Sequence, residues 1–241
     1  MNMNMNMKFK VIVFGYNFPH LKSEFFIHIL KKYNIKISAY IGANRVKINL
    51  PKKIYNKNIS QKPIHNPKNL CKLYDIPFFN SVHNSDKTIR IIKETKANLG
   101  IVSGARILKS NIMNNLKYGI INFHPGKIPE ASGLDGLMWS IYKDIKPYVT
   151  THFINSKIDS GKKIFQREVK IDINDRIEDL NYKMTLIEYE QLEKLCKNYL
   201  SKNVKISSKN FLNYKSANKP MATEQQIEVL NKFELWKKKF V

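Results

Sequence analysis

The feature that most constrains this chain is an alternation, running from Phe9 to Phe123, of short β-branched runs with longer amphipathic stretches. Phe9–Gly15 (FKVIVFG) reads as a buried first strand closed by a glycine. A turn at Tyr16–Pro19 leads into an amphipathic helix over His20–Tyr33, and Ile35–Ile41 reads as a second strand. Asn44–Pro67 is polar, lysine-rich and without apolar period, which predicts an exposed connection. The alternation then resumes: helix Pro67–Tyr74, strand Ile76–Phe79, helix Ser85–Thr95 with Ser85 as its cap, strand Leu99–Ser103, helix Lys109–Leu116, strand Gly119–Phe123.

Strands and helices at this spacing predict an α/β, Rossmann-like fold, a mostly parallel twisted sheet with helices on both faces. Val149–Ile154 and Lys163–Val169 extend the sheet, and Asp175 precedes a long helix over Arg176–Leu200. Residues 201–220 read as irregular, and Thr223 with Gln226 forms a capping box for a last helix to about Lys238. The expected organisation is a disordered tail over 1–8, one domain over 9–200 and a short C-terminal extension over 201–241. In sheets of this kind ligands bind beyond the carboxyl ends of the strands, so chemistry is expected just after Ser103 and Phe123.

Composition narrows the function. A hydrophobic fraction of 43% in 241 residues supports a buried core, and no apolar run is long enough to span a membrane. Met1–Met7 alternates Met and Asn, unlike a secretory leader, and the two distant cysteines, Cys71 and Cys196, form no disulfide framework. Both points predict a cytoplasmic protein. The formal charge of +23 admits nucleic acid or phosphorylated partners, but lysines are spread along the whole chain instead of forming one block with interleaved aromatics.

The densest group of unusual residues is GIINFHPGKIPEASG, from Gly119 to Gly133. Asn122 and His124, two apart on a strand, project to one face at its carboxyl end. A carboxamide beside an imidazole can donate hydrogen bonds to an oxygen that is gaining negative charge, which is what acyl transfer needs. Pro125, Gly126, Pro129 and Gly133 build a rigid loop around the histidine. TTHFINSKIDSG, from Thr150 to Gly161, brings a second strand into a turn that carries Asp159, with Gly161 supplying an unusual backbone. The Asp159 carboxylate is expected to pair with His124 and balance a charged imidazole. No Cys/His cluster has metal-ligand spacing, so no metal is expected.

The order N-x-H-P, a Pro-containing loop, T-x-H and D-x-G, from about Leu99 to Leu200, resembles the formyltransferases that use 10-formyltetrahydrofolate. That family includes enzymes acting on glycinamide ribonucleotide, methionyl-tRNA and sugar nucleotides, and a formyltetrahydrofolate deformylase. The resemblance implies a catalytic trio of Asn122, His124 and Asp159, with His152 in support. It also makes Ser103-Gly-Ala-Arg-Ile-Leu108 the pterin segment, with the backbone of Arg106, Ile107 and Leu108, together with Gly161, holding the folate. Implied partners are folate and a small-molecule amine; 10-formyltetrahydrofolate serves as formyl donor and no metal is needed.

For the acceptor, the turn after the first strand, Gly15-Tyr-Asn-Phe-Pro-His20, is aromatic and Gly-poor, a weak backbone cradle for the phosphate of glycinamide ribonucleotide. About forty residues after Leu200 are too few for the β-barrel expected of methionyl-tRNA enzymes, and nothing before Phe9 accommodates a deformylase regulatory domain. A small or nucleotide-linked amino sugar is the expected acceptor. A methionyl-tRNA role and a non-catalytic basic nucleic-acid-binding role stand as alternatives. Asn213–Met221 is expected to fold back near the acceptor, with Tyr214 stacking on it, and Leu230, Phe233 and Trp236 are a candidate dimer face.

Overall fold

A run of four consecutive apolar residues, Val11-Ile-Val-Phe14, has no polar face to offer water, and each of the four is 0% exposed. Such a run is stable only as a strand covered on both sides. In the computed structural model, which describes residues 8–55, 62–210 and 217–241, it forms β1 (Val11–Tyr16). The chain divides into two units. The first comprises Met1–Arg45, Lys62–Asn122 and Tyr189–Ser207; the second Val46–Gln61, Phe123–Glu188 and Ser208–Val241. The expected 1–8 tail, apart from Lys8, lies outside the described residues, as does Tyr214.

In the first unit β1 pairs in parallel with β2 (Ile37–Ala43) on one side and β4 (Leu99–Val102) on the other. β2 carries β3 (Phe78–Asn80), and β4 carries β5 (Ile120–His124), again in parallel. The order β3-β2-β1-β4-β5 reverses direction of growth at β1, the topology of a doubly wound fold. Helices α1 (Leu21–Lys32), α2 (Pro67–Leu73) and α3 (Asp86–Glu94) make the crossovers. Ser85 does cap α3, its hydroxyl accepting from Thr88 N, and Asn66 caps α2 in the same way from Lys68 N.

Two expectations shift for local reasons. β2 starts two residues later than the apolar run because Asn34, at φ 55°, closes α1 and the Ile35 N–H returns to Leu30 O. The helix expected over Lys109–Leu116 shortens to α4 (Ser110–Met113). There Asn115 turns its amide back to Asn111 O, and its N–H and that of Leu116 form i→i−3 bonds, the end of a helix in an Asn-rich segment.

The second unit is built on an antiparallel ladder, β6 (Tyr148–Phe153) with β7 (Lys162–Glu168), extended by β8 (Lys209–Asn210). Its core joins Leu137, Met138, Trp139 and Ile141 of α5 (Gly136–Tyr142) to Val229, Phe233 and Trp236 of α7 (Thr223–Lys238). Trp236, offered by the sequence as part of a dimer face, is buried in this core and donates from its indole to Ile145 O. The capping box is displaced by one residue: Gln225, not Gln226, accepts the Ala222 N–H that precedes the helix. Ala222 has no side-chain acceptor to return the bond, so only half the box exists. Gln226 is instead fully buried, bonding Ile54 N, Lys52 O and Met221 O. The long helix α6 (Ile177–Leu195) ends in a π turn at Cys196–Leu200. Among the described residues no helix is long and apolar enough to cross a membrane.

Candidate active site

β5 ends in Asn122-Phe123-His124, and the pleat puts Asn122 and His124 on the same face of the strand. Phe123, pointing the other way, is 1% exposed and anchors the strand end. The chain then turns through Pro125 and Gly126, whose N–H bonds to His124 O at 2.9 Å.

The imidazole of His124 is nearly enclosed. Its Nε2 lies 2.8 Å from Ala131 O, and since a carbonyl only accepts, this nitrogen carries a proton. The ring fits because residue 126 is glycine: a Cβ there would stand 2.4 Å from both His124 Nε2 and Ala131 O. The loop is braced from behind by Thr150, fully buried on β6, which donates to Gly126 O at 2.7 Å. Gln166 of β7 donates in turn to Thr150 Oγ1 and to Ile128 O.

Asp159 approaches from the turn between β6 and β7. Its backbone sits at φ 45°, a left-handed conformation that aspartate tolerates better than most residues. Gly161, two residues on, has φ 109°, and a Cβ there would lie 2.1 Å from Phe153 O. The carboxylate stands between two imidazoles: Oδ2 is 3.4 Å from His124 Nδ1, and Oδ1 is 3.9 Å from His152 Nε2. Gly133 N donates to Oδ2 at 2.5 Å, which fixes the carboxylate independently of either histidine.

His152 is fully buried, and its Nδ1 faces two carbonyls, Ser160 O at 3.0 Å and Phe153 O at 3.1 Å. Nδ1 therefore carries the proton, and the Nε2 lone pair faces Asp159. Burial pushes the ring down to about 4, against the pull of the Asp159 charge, and His124 adds to the depression. His152 is thus a neutral imidazole at physiological pH. The two cysteines are no competitors as nucleophiles, because both are buried and burial pushes each thiol up to about 12.

The support behind Gly133 comes from a side chain that the sequence did not single out within Asn213–Met221. Asn218, within the C-terminal segment, donates from its amide to Glu130 O and Ser132 O and from its backbone N–H to Ser132 O. Lys143 donates to Glu130 O and to Asn218 Oδ1, tying the same corner. Hence a residue from beyond position 200 fixes the loop whose Gly133 N–H holds Asp159.

In the first unit the segment after β4 carries Arg106, Ile107 and Leu108. Asn84 clamps it, donating to Ile107 O at 2.9 Å and accepting from Lys109 N at 2.8 Å. Leu108 is buried, whereas Ile107 is 59% exposed, an apolar side chain turned to solvent. Asn84 was not singled out by the sequence; an asparagine in the turn just before a helix cap carries no distinguishing pattern.

A profile of the formyl transferase family matches residues 10–195, and the chain belongs to that family. Methionyl-tRNA formyltransferase from Bacteroides thetaiotaomicron is 30% identical over 100 residues, covering 41% of this chain and 31% of that protein. The chain thus matches about a third of the length of such relatives. Among solved structures, a sugar N-formyltransferase from a Shewanella species superposes with a TM-score of 0.59 at 22% identity, over 87% of this chain and 75% of that one. Phosphoribosylglycinamide formyltransferase from Streptococcus pneumoniae gives 0.60 at 16% identity, over 78% and 97%. These likenesses share the α/β fold.

Proposed function

We propose that this chain moves a formyl group from 10-formyltetrahydrofolate to an amine, with Asn122, His124 and Asp159 doing the chemistry. The observation that carries the reading is the approach of the Asp159 carboxylate to His124, 3.4 Å away, at the end of a strand that also bears Asn122. A neutral amine attacks the formyl carbon, and the carbonyl becomes a tetrahedral oxyanion. Asn122 and protonated His124, the latter through Nδ1, donate hydrogen bonds to that oxygen, each worth about 3 kcal/mol of barrier. A separation of 3.4 Å is longer than a tight charge-assisted bond, which leaves the Nδ1 edge of His124 able to meet a substrate atom. Asp159, directly or through a water, accepts the proton the amine sheds, and a proton passes to N10 as the carbon–nitrogen bond breaks. Formylated amine and tetrahydrofolate result.

His152 walls in the carboxylate on its other side without donating to it. As a neutral ring with its proton committed to Ser160 O and Phe153 O, it does not compete for the charge on Asp159. For the donor, the backbone of Arg106, Ile107 and Leu108, with Gly161, would hold the pterin. The Asn84 clamp and the exposed Ile107 side chain suit a rigid edge beside an apolar surface. In this reading residues 9–200 form the catalytic domain and 201–241 its extension, in a cytoplasmic enzyme.

The favoured acceptor is a nucleotide-linked amino sugar or a similar small amine. The turn after β1 supports this: Tyr16 and Phe18 stack at 4.7 Å and 11°, and the Arg45 guanidinium lies 4.8 Å from the Phe18 ring. An aromatic and guanidinium pair suits a base and a phosphate better than a backbone cradle would. A second reading, formylation of methionyl-tRNA, draws on the sequence relatives that act on it and on the charge of +23.

The test is to incubate the protein with 10-formyltetrahydrofolate and follow tetrahydrofolate absorbance with nucleotide-linked amino sugars, glycinamide ribonucleotide or methionyl-tRNA. Release that depends on an amino sugar is expected. Release without any amine means a deformylase, and no release with any acceptor, alongside salt-sensitive RNA binding, means a binding protein; either result sinks the proposal.

A further inference from the structure

Away from the candidate active site, the first unit holds a second group of histidines around a carboxylate. Glu24 and His28 lie one turn apart on α1, and His65 comes from the segment just before α2. Glu24 is 5% exposed, an unusual position for a carboxylate on a helix. Its two oxygens have separate tasks. Oε2 accepts the backbone N–H of Ile64 at 2.9 Å and of His65 at 3.4 Å. Oε1 faces the two rings, His65 Nδ1 at 2.7 Å and His28 Nε2 at 3.9 Å. One donor atom from each of the three residues falls within 4.8 Å of the others.

We propose that Glu24, His28 and His65 form a binding site for a divalent transition metal of the zinc class. A carboxylate oxygen and two imidazole nitrogens are the ligands that zinc takes, and a tetrahedral ion needs its donors only about 3.3 Å apart. His65 and Glu24 stand closer than that and His28 farther, so an ion would displace the proton between the first pair, part them slightly and draw His28 inward. The outer partners suit the task. Tyr74 Oη lies 2.7 Å from His28 Nδ1, so an Nδ1–H directed at the phenol leaves the Nε2 lone pair aimed at Glu24. The two backbone N–H groups on Oε2 hold the carboxylate with its other oxygen toward the rings. Two nitrogens in three ligands select against magnesium and calcium, which prefer oxygen throughout. Three protein ligands leave a fourth position for water, and the ion would fasten the segment entering α2 to α1. Chain order hid the group from sequence reading, because His65 lies far from the Glu24–His28 pair. The inference is independent of the formyl-transfer reading.

Isothermal titration of the full chain, stripped with chelator, against Zn²⁺ tests it, with Co²⁺ absorbance reporting geometry. One equivalent per chain is expected, with visible Co²⁺ bands of a four-coordinate site. His28→Ala and His65→Ala, both at half-exposed positions, should each weaken Zn²⁺ binding by about a hundredfold while circular dichroism stays unchanged. Tyr74→Phe should weaken it about tenfold, a readout that a mere Glu24–His65 ion pair would not move. Failure to take up Zn²⁺ saturably, or uptake that survives both histidine substitutions, overturns the site.

Discussion

Two carboxylates in this chain each stand against two imidazoles, yet the pairs are built for different work. Asp159 faces His124 and His152 from a left-handed turn, and both rings are buried. Glu24 faces His65 and His28 from a regular helix, and both rings are half-exposed. In the first group the far nitrogen of each ring is committed to a backbone carbonyl, Ala131 O for His124 and Ser160 O for His152. In the second, His28 rests on a phenol and His65 bonds the carboxylate directly. What stands behind a ring decides which nitrogen is left to act. Identical side chains therefore give a proposed acid–base device in one place and a proposed ligand set in another.

The comparison is broken most directly at Asp159. Asp159→Ala and His124→Ala should each lower kcat for formyl transfer by about a thousandfold, with Asn122→Ala costing about a hundredfold. Tetrahydrofolate release measures all three; a loss under tenfold in any of them would separate that residue from the chemistry.

Gly126→Ala probes the space for His124 without removing a functional group. The added methyl would meet His124 Nε2 and Ala131 O at 2.4 Å, so the ring must shift, and kcat should fall about a hundredfold. An unchanged kcat would mean that the ring's position does not matter.

Asn218→Ala removes the amide bonds to Glu130 O and Ser132 O behind Gly133. It should destabilise the chain by about 1–2 kcal/mol, read by urea unfolding, and lower kcat about tenfold with little change in acceptor KM. A change confined to KM would instead place Asn218 on the acceptor.

The smallest effect concerns Glu24. Burial raises its carboxyl, but the bonds from His65 and from the Ile64 and His65 N–H groups outweigh burial and hold it below the ordinary glutamate range. A folded-state depression contributes stability that is complete above the unfolded value of about 4.3 and is lost as pH falls through the lower folded value. Glu24→Gln should flatten that acid-side loss in a Tm-versus-pH series; a parallel curve would show that the carboxylate contributes nothing.

Much of the architecture was legible because periodicity carries it. The β-branched runs around Ile12, Ile101 and Ile121 became β1, β4 and β5, and Ser85 announced α3. Helix α5 was missed because Gly136–Ile141 is buried all round, leaving no polar face to mark a helical period. The catalytic candidates were legible as residue types, since Asn, His and Asp beside Pro and Gly at strand ends are unusual. Their supports were not. Gly133 acts through its N–H and Ala131 through its carbonyl, groups that every such residue has, and Asn218 arrives from a segment that looked irregular.

By itself the sequence determined which stretches become strands and helices, because side-chain period and turn chemistry are local properties of the chain. It also determined which side chains could carry proton transfer. Only the tertiary structure decided which of the six histidines would face a carboxylate, and through which nitrogen. Those outcomes depend on distances between segments far apart in the chain and on backbone groups that every residue shares.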